Sequence, residues 1–194
     1  MINRLKEKRE AERLKNPILR DKSFELLLDT VKELKPKRIL EVGVNVGLSS
    51  IAMLLSCESA TLTGLEIDEE AIEEAKRNYK EFGVENRAKI FCGDAGEIIP
   101  VLTGEYDFIF LDGPKGHYHE YLPYLLAVLK KGGILFADNV LFRGYVLGEK
   151  KVPHRIATIA HAMQKFIAGV TLDTNLQTEI IDIEDGVSIT RKLN

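Results

Sequence analysis

The sequence predicts an α/β fold, a doubly wound and mostly parallel sheet of seven strands that ends in an antiparallel hairpin. Three observations predict it. Five short apolar runs alternate with amphipathic segments of helical period between Lys37 and Ala137, the pattern of strands joined by right-handed crossover helices and covered on both faces. Acidic residues stand at or next to the carboxyl end of each run, namely Glu41, Glu66, Asp94, Asp112 and Asp138, and that is the edge at which an open parallel sheet binds ligands. The last two apolar runs are three residues apart, too few for a parallel crossover.

Residues 1–35 read as helices that precede the sheet. The charged first segment is interrupted at Asn16-Pro17, and apolar residues return at helical spacing over Ser23 to Leu34. Strands are predicted over Arg38–Val42, Ala60–Ile67, Ala88–Cys92, Tyr106–Leu111 and Gly133–Ala137, and a helix from about Ile156 to Ile167. Thr178–Ile183 and Val187–Arg191 flank Glu184-Asp185-Gly186, a hairpin with Asp-Gly in its turn. No repeat, low-complexity tract or linker breaks the pattern, so 1–194 is expected to be one domain with the sheet in 37–194.

The balance of 45% apolar and 29% charged residues over 194 positions suits a globular chain that buries one substantial core without disulfide or structural-metal staples. The first residues lack the apolar centre of a secretory signal and no later run approaches a membrane span, which points to a cytoplasmic protein. Cys57 and Cys92 are too few for a disulfide framework and are expected to be small buried apolar residues. Charge is uneven: Met1 to Lys22 holds eight Lys/Arg against four Asp/Glu, a local +4 that leaves −7 over the remainder of a chain whose total is −3. A basic arm of this kind suits phosphate, as tRNA offers it. It better suits a solvated helix laced with i,i+4 pairs such as Lys6 to Glu10 and Lys8 to Glu12.

The first run leads into Glu41-Val42-Gly43, then Gly47 and Ser49-Ser50 at the start of a helix. A pyrophosphate-binding turn needs G-x-G-x-x-G. Here Asn45 takes the middle position and the glycines are four apart, which suits a ligand without phosphate that carries a methionine part and a nucleoside. Glu41 is expected to place negative charge near the ligand's ammonium or an ordered water joined to it. Ser49 and the helix N-terminal amides are expected to hold its carboxylate, Glu66 to accept from both ribose hydroxyls, and Asp94 with the Ala95 amide to meet the adenine edge. Any one of these acidic residues can merely cap the next helix; their succession at three strand ends favours a nucleoside cofactor.

The fourth and fifth runs end in Asp112-Gly113-Pro114-Lys115 and Asp138-Asn139. Two carboxylates and an amide oxygen are hard ligands that suit Mg²⁺, Mn²⁺ or Ca²⁺, and an open site leaves positions for water or substrate. His117 and His119, two apart, point to different sides of any regular element and read as loop and helix-start residues. Phe142-Arg143-Gly144 reads as part of an acceptor wall or as plain loop.

With these residues in place the chain resembles the cation-dependent class I O-methyltransferases of the catechol and caffeoyl-CoA type, whose compact bacterial branch includes a tRNA 5-hydroxyuridine methyltransferase. The likeness runs from Asn16-Pro17-Ile18 through Ile39 to Gly43, Phe108 to Asp112 and Gly133 to Val140, to Asp185-Gly186-Val187. Asp-Asn-Val after a Gly-Gly strand is its most specific motif. The resemblance implies a Rossmann-like methyltransferase sheet, S-adenosylmethionine as cofactor, and a divalent cation, Mg²⁺ foremost, on Asp112, Asp138 and Asn139, with Asp112 also near the cofactor. It implies Lys115 as the base or as the charge facing the oxyanion, and a homodimer. The family often has Asp-Ala-Asp-Lys where this chain has Asp112-Gly-Pro-Lys115; the lysine spacing is kept while Pro114 alters the substrate rim. Arginines of the tRNA-modifying relatives fall near Arg155, which otherwise reads as a solvated first turn.

The expected reaction is methyl transfer to one oxygen of a vicinal pair, with 5-hydroxyuridine of tRNA as the leading acceptor and small catechols or hydroxycinnamoyl compounds as the rival. Two other classes compete. A nicotinamide-dependent oxidoreductase is disfavoured by the missing middle glycine. A cofactor-binding protein without catalysis is disfavoured by the presence together of Asp112, Lys115, Asp138 and Asn139.

Overall fold

The computed structural model describes residues 1–148 and 151–194. The chain gathers into two compact units, Met1–Ala95 and Gly96–Asn194.

In the first unit the elements are α1 (Ile2–Glu12), α2 (Asp21–Leu34), β1 (Arg38–Val42), α3 (Leu48–Ser56), β2 (Thr61–Glu66), α4 (Glu69–Glu81) and β3 (Ala88–Cys92). The strands run parallel in the order β3-β2-β1, with Arg38 opposite Thr61 and Leu62 opposite Ala88. Helices cover such a sheet on both sides, so β1 reads as a continuous apolar run rather than an alternating one; Ile39, Leu40 and Val42 are all buried. The Asp68 carboxylate starts α4 by accepting from the amides of Glu70 and Ala71, and α2 stops at Lys35, whose backbone is left-handed at φ 51°.

The basic arm folds differently from the expected ladder of i,i+4 pairs. Arg4 and Lys8 both reach Glu81 on α4, each at 2.7 Å, and Glu10 pairs with Arg13 at i,i+3. One carboxylate that collects two cations is a better partner than a neighbour on the same helix. Arg9 is buried, with its guanidinium 3.4 Å from the centre of the Phe24 ring and Nη2 donating to the Leu19 carbonyl. Cys57 is buried as expected, its Sγ 3.3 Å from the Pro36 carbonyl, but Cys92 is exposed. The reason is position: it ends β3, the outer strand of this unit, most of whose side chains are left accessible.

α5 (Ala95–Ile98) begins at the last residue of the first unit. The second unit then holds β4 (Tyr106–Leu111), α6 (Tyr118–Val128), β5 (Leu129–Asp138), α7 (Ala157–Leu172), β6 (Leu176–Ile181) and β7 (Val187–Lys192). Its strand order is β4-β5-β7-β6; the first pair is parallel and the other two antiparallel. Phe108, Phe110 and Phe136 form a tilted and edge-on aromatic core, and Tyr118 meets Phe166 edge-on at 5.4 Å.

The predicted elements are all present, with three shifts. β5 starts at Leu129, because Leu129 already pairs with Tyr106 before a register irregularity, and Gly132 takes a left-handed backbone, φ 78°, inside the strand. α7 continues to Leu172. The hairpin ladder closes at Ile181 opposite Val187, so the turn is Asp182 to Gly186 and not three residues, with Glu184 and Gly186 both left-handed. No described helix is long and apolar enough to cross a membrane.

Candidate active site

Two groups of the singled-out residues are assembled, one in each unit. In the first unit the chain leaves β1 and turns through Gly43 to Gly47 into α3. The Gly43 amide donates to the Leu65 carbonyl at 3.0 Å, which hangs the loop on β2. Gly47 is required twice over. Its φ of +79° disfavours any side chain, and a Cβ there would lie 2.7 Å from Cε1 of Tyr79. Asn78 is fully buried beside it and donates from Nδ2 to the Val46 carbonyl at 2.8 Å.

Asn45, at the middle of the loop, is left-handed at φ 50°, a conformation asparagine tolerates. Its amide donates to Glu66 Oε2 at 2.7 Å and its side chain to the Pro17 carbonyl at 2.9 Å. Glu66 Oε1 accepts from the amides of Ile67 and Asp68 at 2.8 and 3.1 Å. The residue expected to meet ribose hydroxyls therefore also ties the glycine loop to the turn after β2. A carboxylate has about four lone-pair sites, so the three bonds leave room for a further donor.

Glu41 is fully buried, and its Oε2 accepts the Ser50 hydroxyl. Ser50 in turn accepts from the Tyr79 hydroxyl at 2.7 Å. Ser49 stands one residue earlier in the first turn of α3, partly exposed; Asp94, exposed, and Ala95, partly exposed, follow β3.

In the second unit the parallel register sets Leu111 opposite Ala137, so the next residues after these two, Asp112 and Asp138, stand at adjacent strand tips. Strands in a sheet are about 4.8 Å apart. Lys115 Nζ lies 3.4 Å from Asp112 Oδ1. Asn139 is left-handed, φ 58°, and its Nδ2 donates to Asp138 Oδ2 at 2.6 Å. Tyr118 closes the group from α6: its hydroxyl donates to the Leu111 carbonyl at 3.1 Å, and the phenol is held far above its ordinary value by burial and then by the charges of Asp112 and Asp138. Burial raises the Asp112 carboxyl as well, with the Lys115 ammonium working against it.

The turn of the terminal hairpin holds this loop in place. Val140 and Leu141 donate their amides to the carbonyls of Gly186 and Asp185 at 3.0 and 2.9 Å, and the Arg143 amide donates to the Asp185 carboxylate. Phe142 and Arg143 are both left-handed, and the Phe142 ring lies 6.1 Å from that of Tyr145. Several non-glycine residues in this conformation within one short loop mark backbone that its surroundings over-determine, as functional loops often are.

His117 bonds through Nδ1 to Glu120 at 2.7 Å and stacks on Tyr121. Among the described residues no three His, Cys, Asp or Glu gather as a metal site; the acidic set here is two carboxylates and an amide. His154 and Arg155 lie in a 3₁₀ turn that leads into α7. Sequence reading passed over Ser50, Asn78, Tyr79 and Tyr118. One signal was available: Ile72, Ala75, Asn78 and Tyr79 share the buried stripe of α4, and an asparagine on an apolar stripe needs a partner.

A family model described as O-methyltransferase matches residues 4–193. A caffeoyl-CoA O-methyltransferase of Stellaria longipes is 31% identical over 177 residues, 87% of this chain and 73% of its own, and one of Populus kitakamiensis is 30% identical over 171, 84% and 73%. An SAH-bound methyltransferase of Podospora anserina matches in structure over 98% of this chain and 88% of its own, with a TM-score of 0.86 and 28% identity. The fold is thus the α/β methyltransferase fold that the strand pattern predicted, and the chain belongs to the O-methyltransferase family.

Proposed function

We propose that this S-adenosylmethionine-dependent O-methyltransferase acts on a vicinal dioxygen acceptor of the catechol or hydroxycinnamoyl kind, with Mg²⁺ held by Asp112, Asp138 and Asn139. The observation that carries the proposal is the β4–β5 register, which brings two buried or half-buried carboxylates to neighbouring strand tips with an amide next in sequence. Such a set of hard oxygen donors fits a divalent cation and lacks the nitrogen and sulfur ligands that zinc prefers. When bound, the cation polarises the acceptor oxygens and makes the hydroxyl to be methylated more acidic.

The chain's own residues do the rest. Lys115, beside Asp112, takes the acceptor's proton at Nζ or keeps its own and faces the oxyanion with positive charge. In the first unit the glycine loop receives the methionine part of the donor, the amides at the start of α3 and Ser49 its carboxylate, Glu66 the ribose, and Asp94 with Ala95 the adenine edge. The acceptor oxygen bonds the methyl carbon as the carbon–sulfur bond breaks, which leaves S-adenosylhomocysteine.

The relatives' names support the hydroxycinnamoyl acceptor. The alternative, 5-hydroxyuridine of tRNA, draws on the basic arm, and there Arg4 and Lys8 face Glu81, Arg13 faces Asp21 and Arg9 is buried. With the same reading go a cytoplasmic location and a homodimer, the commonest closed assembly, which sedimentation would test. The deciding assay offers labelled S-adenosylmethionine and Mg²⁺ with a catechol, caffeoyl-CoA or undermodified tRNA. Methylation of the first two that chelator abolishes supports the proposal. Transfer to tRNA alone replaces the acceptor, and donor binding without transfer to any of them leaves a binding protein.

A further inference from the structure

We propose that Tyr79 and Ser50 are positioning residues for the methyl donor, acting through Glu41 and the glycine loop. The inference rests on the reading that the loop between β1 and α3 receives that donor. Three buried polar groups are joined in series: the Tyr79 hydroxyl donates to Ser50 Oγ, and the Ser50 hydroxyl donates to Glu41. Glu41 and Ser50 are fully buried and Tyr79 nearly so. Burial and the charge of Glu41 keep the Tyr79 phenol protonated at any physiological pH, so it retains the proton that it donates to Ser50.

The same stretch of α4 supports the loop by two other routes. The Tyr79 ring fills the space that a Gly47 side chain would need, and Asn78 donates to the Val46 carbonyl. Backbone at Val46 and Gly47 and the carboxylate at the end of β1 are thereby referred to one helical turn. A buried carboxylate is costly unless its lone pairs are met, so the orientation of Glu41 depends on the hydroxyl that α3 brings to it. Ser50→Ala and Tyr79→Phe keep nearly the same volume and remove only hydroxyls. Their absence would act on Glu41 and the loop rather than on core packing.

The test titrates S-adenosylhomocysteine into purified full-length protein, as wild type, Tyr79→Phe, Ser50→Ala and the double variant. Each single variant is expected to raise the donor Kd by about five- to twentyfold, the usual effect of breaking one buried hydrogen bond. The double variant should be little worse than Ser50→Ala, because both changes interrupt one series. At saturating donor, kcat should stay within about twofold and the acceptor KM should not move, since only donor binding is altered. Single variants that bind with wild-type affinity, or losses that multiply in the double variant, overturn the proposal. Should Ser50→Ala not fold, Tyr79→Phe alone decides. A wild-type protein that binds no donor analogue would instead overturn the functional reading beneath it.

Discussion

Asp112 and Asp138 are neighbours because Leu111 is the ladder partner of Ala137, and the Tyr118 phenol feels the charge of both carboxylates. Two carboxylates at adjacent strand tips repel each other unless a cation or a proton lies between them. Mg²⁺ should therefore stabilise the folded protein. At 100 times its Kd a ligand specific to the native state adds about 2.7 kcal/mol, or roughly 5–10 °C in melting midpoint for a chain of this size. In Asp138→Ala the Mg²⁺ shift should vanish and chelator should no longer change turnover. An undiminished shift in that variant would place the cation elsewhere.

Lys115 tests the chemistry separately from binding. Lys115→Met should lower kcat by about 10²- to 10⁴-fold, the range for loss of a proton-transfer group, while S-adenosylhomocysteine affinity stays at the wild-type value. Lys115→Arg separates the two roles. A guanidinium keeps its proton at all relevant pH, so an active arginine variant means that the residue supplies charge, and an inactive one that it takes the proton.

Much of this was legible in the residues. Apolar runs such as Phe108 to Leu111 announced parallel strands, because a strand buried on both faces has no polar alternation to confuse it. The early start of β5 was hidden by Lys130 to Gly133, which reads as a turn; only pairing of Leu129 with Tyr106 makes it strand. Asn45 was read as the residue that spoils a phosphate turn, whereas its amide and side chain knit the loop to Glu66 and Pro17. The Tyr79, Ser50 and Glu41 series was out of reach, since its partners lie far apart in sequence and tyrosine at helical spacing reads as plain core.

The Asp185-Gly186 element also acquired a physical meaning. Gly186 has φ +81°, and a Cβ there would fall 2.2 Å from Leu141 Cγ, in the loop that follows Asn139. Gly186→Ala combines a left-handed strain of about 1–2 kcal/mol with a clash that costs about 1–3 kcal/mol when the core must shift. A fall in melting midpoint of roughly 4–20 °C is expected, with methyl transfer reduced further than folding alone accounts for. A variant that melts as wild type would show that Leu141 yields freely and that the turn does not hold the loop.

The arm α1 supplies the last prediction, in which sign and pH window follow from one carboxylate. Lys8 and then Arg4 hold the Glu81 carboxyl below its ordinary value in the folded protein. A carboxyl depressed on folding adds stability that is fully present above its unfolded value, near about 4.3, and lost as pH falls through the folded value. Glu81→Gln should therefore melt slightly below wild type at pH 7, by the roughly 0.2–1 kcal/mol that partly exposed pairs contribute. The gap should narrow on acidification below about pH 4, and at neutral pH it should also shrink in about 1 M salt, where the Debye length is near 3 Å. A gap that stays constant across pH and salt would mean that the glutamine disturbs the packing of α1 on α4, and that the two cations contribute nothing through their charge.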